Sequence, residues 1–329
     1  MQAKRWAPCD TLALERSNGR FVDIRTHVTT PIGLAIVGAG RMGVTHLRAL
    51  TGEPSVRLRA TVDPSEQARA IAASAAPDTP AYADLDAALG HGGIDAVLIA
   101  APSTLHLALV RECAARGLPM LCEKPCGTTS AEAIAAAEAA DAAGCVLQIG
   151  YWRRFAPELV ELRERVRSGA LGELVLVSCY QWDAEPPSAA FRGTSGGIAV
   201  DMGVHEFDQL RWLTGQELGA FKTVTQAPRA DGPEGLQMLG ALSDGTAAFV
   251  SLGQSFPHGD CVWVEVFGTA GYERCEVLWA ADGDAALHRA LRGQVRAFAD
   301  RVAGALGGDA ATAQDALATL RAAERVHPG

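Results

Sequence analysis

The chain has 329 residues, 48% of them hydrophobic, enough to bury a large core and to divide into two domains. A net charge of −9 with no basic run gives no electrostatic footprint for nucleic acid or a membrane surface, which points to a small-molecule partner. No 18-residue apolar window occurs; even the Ala-rich run 131–143 is broken by Glu132, Glu138 and Asp141.

Residues 1–30 carry Asp10, Glu15 and Asp23 and lack the apolar core of a leader peptide. They read as an extension outside the fold, of disordered-tail type. The eight cysteines lie without paired spacing, mostly in apolar runs such as PMLCEK and AAGCVLQ, as expected of reduced, buried thiols in a cytoplasmic protein. Cys122 and Cys126 form a lone C-x3-C with no second pair, so no metal is expected.

From residue 31, short apolar runs alternate with helical patterns: LAIVGAG, MGVTHLRALTG, RLRATVD, SEQARAIAASAA, DAVLIAAP, LHLALVRECAARG, PMLCEKP. This alternation predicts parallel strands joined by right-handed crossovers. GAGRMG places Gly38, Gly40 and Gly43 between strand and helix, where a tight turn, a close pyrophosphate and close helix packing each exclude a side chain. Arg41 and Met42 lie in the same cradle. Asp63 ends the second strand, where a carboxylate can bond both ribose hydroxyls and repel a 2′-phosphate. NAD is therefore expected over NADP, although Arg41 can soften that preference. A domain of this type binding another nucleotide stays open on spacing alone.

Pro102 and Ser103 follow the strand DAVLIAAPS and are expected to line the nicotinamide half of the crevice, with His106 at its edge or in packing. The next strand ends in EKP. Lys124 would lie above the nicotinamide, and Pro125 fixes the exit of the chain. Glu123 stands beside it at the cofactor end, but strand alternation turns its side chain away, which suits a structural pairing.

The pattern changes near residue 150, dividing a dinucleotide-binding Rossmann domain (31–150) from an α+β domain (151–329). After the helix APELVELRERVRSG come the runs ELVLVSCYQWD, AFKTVTQAP, GLQMLGALSD, GTAAFVSLGQS, VWVEVFGTAG and YERCEVLWA. Turn signals such as SDG separate the middle ones, predicting an antiparallel meander in a large, mostly antiparallel open sheet, closed by helices near 285–304 and 311–325. Within GGIAVDMGVHEFDQLRWLTG (196–215), Asp201 and His205 are spaced i, i+4 and would share a helical face. On spacing alone such a pair is more often packing than chemistry.

In register, AIVGAGRMG, the acid ending the second strand, AAPSTLH, EKP and GGIAVDMGVHEFDQLRWLTG resemble the Gfo/Idh/MocA oxidoreductases, most closely their inositol dehydrogenases, from about residue 32 to 325. The resemblance implies an NAD-dependent dehydrogenase acting on a secondary hydroxyl of a cyclic polyol. Lys124 would meet the hydroxyl, with a Lys124–Pro125 bond that is often cis. His205 would take the hydroxyl proton, while Asp201 orients the imidazole and contacts substrate. Arg153 of GYWRRF would reach substrate oxygens, with Trp152 as an apolar wall. A histidine base near its usual pKa predicts oxidation that rises with pH through the neutral range.

Arg154 suits a domain-interface cation. Tyr180, Gln181, Trp182, Asp183 and Arg192 are either polyol contacts or a solvated edge. Where inositol dehydrogenases tend to carry a tyrosine before the strand CVWVEVFG, this chain has SFPHGDC, placing His258 or Asp260 there. The connection to the closing helices is also short, so substrate identity is less constrained than fold. Two alternatives stay open: an aldose or ketosugar dehydrogenase or ketoreductase, and a non-catalytic NAD sensor or co-repressor. Relatives of this architecture often form dimers or tetramers through the exposed sheet.

Overall fold

The computed structural model describes residues 16–17, 20–21, 30–226, 234–279, 283–305 and 308–326. β1 (Arg16–Ser17) and β2 (Arg20–Phe21) pair antiparallel within the expected N-terminal extension, most of which lies outside the described residues.

Strands that are apolar on both faces need cover on both faces. β3 (Ile32–Val37), β6 (Ala96–Ile99), β7 (Met120–Glu123) and β8 (Leu147–Gly150) are buried at every position. With β4 (Val56–Val62) and the edge strand β5 (Ala81–Tyr82) they form a parallel sheet in the order β5-β4-β3-β6-β7-β8. Crossovers run through α1 (Arg41–Leu50), α2 (Glu66–Ala75), α3 (Leu85–His91), α4 (His106–Ala115) and α5 (Ser130–Ala142). The order reverses between β3 and β6, so the carboxyl ends of these strands open onto the switch-point crevice where such sheets bind ligands. β5 and α3 are too short to leave a periodic signal in the sequence.

The second sheet contains β9 (Leu174–Asp183), β10 (Leu218–Gln226), β11 (Gly235–Leu242), β12 (Ala247–Gln254), β13 (Cys261–Gly268) and β14 (Tyr272–Trp279). Its order is β10-β11-β12-β9-β13-β14. The expected meander is therefore interrupted. β9 lies between β12 and β13, parallel to the first and antiparallel to the second, which makes the sheet mixed though mostly antiparallel. The turns SDG and GTAG fix the hairpins β11–β12 and β13–β14, but local turn chemistry says nothing about which strand fills the gap between hairpins.

α6 (Pro157–Arg167) and α8 (Val204–Thr214) cover one face of this sheet, where Val177, Val250, Leu252 and Val264 share a core with Phe207 and Leu210. α7 (Ala189–Ser195) packs on the 3-10 turn Ser103–Leu105 beside the crevice. α9 (Ala285–Val302) folds back onto the first sheet, where Val295, Phe298 and Ala299 join Leu34, Ile36 and Leu47. Each such large apolar side chain contributes about 1.5–3 kcal/mol on burial. α10 (Ala313–Val326) packs on both α5 and α8. The chain end thus holds α8 in fixed relation to the strands that carry the crevice. No helix among the described residues is long and apolar enough to cross a membrane.

Candidate active site

The glycine turn meets its backbone requirements at three different distances. Gly38 has φ +99°, and a Cβ there would lie 2.5 Å from the Ala101 amide nitrogen. A Cβ on Gly43 would fall 1.9 Å from the Gly38 carbonyl oxygen, so α1 is seated directly on the turn. Gly40 differs: it is exposed, and a Cβ there would meet no protein atom within 4 Å. The space it leaves faces outward, as an approaching pyrophosphate requires. α1 has no side-chain N-cap and no acid in its first turn, leaving its amides and positive dipole end for phosphate. Arg41 is exposed at that end, whereas Met42 is half-buried against the core.

Asp63 borders the same turn. Its Oδ2 accepts the Ala39 amide and its Oδ1 the Ser65 amide, both at 2.8 Å. An ionised carboxylate has about four acceptor positions, so two remain for ribose hydroxyls. Pro102 and Ser103 lie at the crevice rim, the first exposed and the second half-exposed. His106 is buried, with Nδ1 2.7 Å from the Pro125 carbonyl oxygen and Nε2 2.8 Å from that of Ala101. Burial lowers its pKa, against the pull of these two carbonyls. It ties together the loops after β6 and β7 and does not reach into the crevice.

Lys124 leaves β7 through a cis bond to Pro125. Its Nζ donates to the Asp201 carbonyl oxygen at 2.6 Å and lies 3.4 Å from Asp201 Oδ1. Asp201 sits in a π-helical turn, Ala199–Gly203, that precedes α8. Gly196 and Gly197, both with φ +81°, lead into it. Such wide turns recur at functional sites. The expectation that Asp201 orients the His205 imidazole requires correction: the wide turn ends just before His205, and Asp201 is paired with Lys124. His205 is instead held by aromatic edges, its ring centroid 6.0 Å from that of Tyr151 and 6.2 Å from that of Trp152. Its Nδ1 is buried without a hydrogen-bond partner. Burial, then the nearby charges of Arg153 and Lys124, hold its pKa well below the ordinary histidine value of 6.5.

Arg153 also departs from expectation. Its guanidinium is buried, donating from Nη1 to Glu206 Oε2 and from Nη2 to Gln181 Oε1, the latter at 2.6 Å. These bonds commit both terminal nitrogens to protein acceptors, where contact with substrate oxygens is the expectation. Gln181 passes the link on, its Nε2 donating to Asp183 Oδ1 at 3.2 Å. Asp183 faces Lys124, Asp201 and Asp260; burial, reinforced by the two acids, raises its carboxyl pKa. Asp260 itself accepts the Ala184 amide at 2.8 Å, and His258 packs edge-on against Phe256. Arg154 is paired with Asp208 and Asp315, joining the loop after β8 to α8 and α10. Glu123 is turned away from the crevice onto His46. Among the described residues no cluster of three His, Cys, Asp or Glu side chains could hold a metal ion.

The chain matches known proteins over most of its length. Residues 32–151 match the model of an oxidoreductase family with an NAD-binding Rossmann fold, and residues 159–273 match the GFO/IDH/MocA C-terminal domain. The rhizopine catabolism protein MocA of Rhizobium meliloti is 47% identical over 302 residues, covering 90% of this chain and 94% of that protein. The chain belongs to the Gfo/Idh/MocA oxidoreductase family. Another relative within the Gfo/Idh/MocA family, an inositol 2-dehydrogenase of Streptomyces avermitilis, is 34% identical over 256 residues, covering 76% of this chain and 71% of that protein. The crystal structure of GenD2 from gentamicin A biosynthesis, in complex with NAD, superposes with a TM-score of 0.83 at 26% identity, covering 92% of this chain and 95% of that one. This Gfo/Idh/MocA member is thus an NAD-dependent dehydrogenase of the CH–OH type.

Asp63→Ala is expected to lower the NAD/NADP ratio of kcat/KM by about ten- to a hundredfold, the range for losing a hydrogen bond to a charged group. Steady-state kinetics with both cofactors checks this; an unchanged ratio would show that Asp63 does not select the cofactor.

Proposed function

We propose that the protein oxidises a secondary hydroxyl of a cyclic polyol of the inositol type, with Lys124, Asp201 and His205 acting on one carbinol. The observation that carries this is the meeting of Lys124 and Asp201 at the mouth of the dinucleotide crevice, on the same side as a buried histidine with no polar partner of its own. NAD, held at the glycine turn, supplies the hydride acceptor.

His205 is neutral over a wide pH range because of its lowered pKa, so it stands ready to take a hydroxyl proton. With Nδ1 sealed in the interior, Nε2 is the nitrogen left for substrate. Lys124 has side-chain exposure of 18%, low enough for its ammonium to stabilise a developing alkoxide strongly. Asp201 anchors that ammonium through its carbonyl and, more loosely, through Oδ1, which leaves its other carboxylate oxygen for a second hydroxyl. Gln181 and Asp183, backed by Arg153 and Glu206, add a polar rim that suits a ligand with several hydroxyls, against the apolar wall of Trp152. The name of one relative, an inositol 2-dehydrogenase, supports a cyclitol over an open-chain alcohol.

An aldose or ketosugar dehydrogenase is the second reading, favoured by His258 and Asp260 standing where a tyrosine is typical. A cytoplasmic location and a homodimer or homotetramer belong to the same proposal. The open sheet face exposes Val224, Leu239, Phe267 and Tyr272, which a second copy would cover. Sedimentation showing only monomer at micromolar concentration would contradict that assembly.

A panel of myo-inositol, scyllo-inositol, glucose, xylose and galactose with NAD tests the substrate class by absorbance of the reduced cofactor. Turnover of at least one inositol is expected. Turnover of free aldoses alone would establish the second reading, and tight NAD binding without turnover of any polyol would establish a sensor.

A further inference from the structure

We infer that the buried His46–Glu123 pair is a positioning strut that couples the cofactor end of α1 to the placement of Lys124. The inference rests on the role given to Lys124 above. His46 lies one helical turn after Gly43 and is fully buried, with its Nε2 2.7 Å from Glu123 Oε1. A carboxylate only accepts, so Nε2 carries the hydrogen. The other oxygen, Oε2, accepts the backbone amide of Lys124 at 3.3 Å. One carboxylate thus has one oxygen on the phosphate-binding helix and the other on the main chain of the lysine.

The surroundings leave it little freedom. On the neighbouring strand, a Cβ on Gly150 would lie 2.9 Å from Cα, Cδ and Oε2 of Glu123, so the carboxylate occupies space that any other residue at position 150 would fill. His46 Nδ1 has no partner, leaving the ring committed to Glu123 alone. Stability does not explain the arrangement, because replacing both partners of a buried hydrogen bond by apolar groups of the same shape can be nearly neutral or stabilising. Position does. Gly43 is seated against Gly38, so the turn that takes the pyrophosphate, His46, Glu123 and the Lys124 amide form one rigid line.

The test is a double-substitution cycle in the full-length protein, with NAD and the inositols as substrates. Glu123→Leu should lower kcat by about ten- to a hundredfold, the scale of an ångström misplacement of a catalytic group. In a Lys124→Met background the same substitution should change kcat by less than about twofold, since the strut then has nothing to position. An equal loss in both backgrounds would show a merely structural role and overturn the inference. If Lys124→Met leaves kcat unchanged, the reading of Lys124 fails first, and the strut loses its purpose with it. Should Glu123→Leu not fold, Glu123→Gln decides. It keeps the shape and an acceptor for His46, so a smaller loss that likewise vanishes beside Lys124→Met is expected, and additivity would again overturn the inference.

Discussion

His205→Ala lowers kcat by at least about a hundredfold and leaves NAD affinity near that of the unsubstituted protein, as loss of a positioned base implies. The ring is flanked by the edges of Tyr151 and Trp152, which hold the imidazole in place and which an alanine would no longer contact. Stopped-flow turnover with a separate NAD titration checks both halves; weakened NAD binding with unchanged turnover would contradict the role. The pH profile carries a sharper signature. A base works above its pKa, and burial together with Arg153 and Lys124 displaces that of His205 below 6.5. The acid limb of kcat should therefore fall below pH 6.5, with a plateau through neutrality, in place of the rise through the neutral range read from an ordinary histidine. The same sign governs stability: the unfolded chain binds the His205 proton more tightly, so this contribution is present above the unfolded pKa and is lost as pH falls.

Lys124→Met lowers kcat by about a hundred- to a thousandfold, the effect of removing one preorganised group that meets developing negative charge. The loss should appear in kcat more than in KM, because the ammonium does its work when the hydroxyl becomes an alkoxide. Lys124→Arg should not restore activity. A planar guanidinium cannot place a compact charge both 2.6 Å from the Asp201 carbonyl and on the reacting oxygen. A kcat within threefold of the unsubstituted value for either variant would remove Lys124 from the chemistry.

The sequence discloses the parts of this site that local backbone geometry dictates. Gly38, Gly40 and Gly43 are recognisable because a strand-to-helix turn cannot hold side chains there, and Asp63 and Lys124 because they end parallel strands. Pairings set by tertiary packing leave weaker traces. Arg153 and Arg154 are adjacent in GYWRRF, and their partners Glu206 and Asp208 lie two apart in HEFD on a helix that is buried over most of its length. Two neighbouring cations matched by two acids on a buried helix were a usable signal that these arginines are internal. His46 offered less, since one histidine on an apolar helix face does not name its partner 77 residues away. The π-helical turn at Ala199–Gly203 leaves no trace in the sequence because residues at i, i+4 spacing read as an ordinary helix with Asp201 and His205 on one face, whereas in the fold Asp201 pairs with Lys124. The insertion of β9 between two hairpins had no local signature at all.

The central claim is that an amine, a carboxylate and an imidazole from distant parts of the chain converge on one carbinol. A crystal structure of the protein with NAD and an inositol tests it most directly. The account predicts a ring hydroxyl within about 2.6–3.2 Å of both His205 Nε2 and Lys124 Nζ, its carbon facing the nicotinamide. An imidazole directed into the protein interior, or separated from that hydroxyl by more than one bridging water, would contradict it.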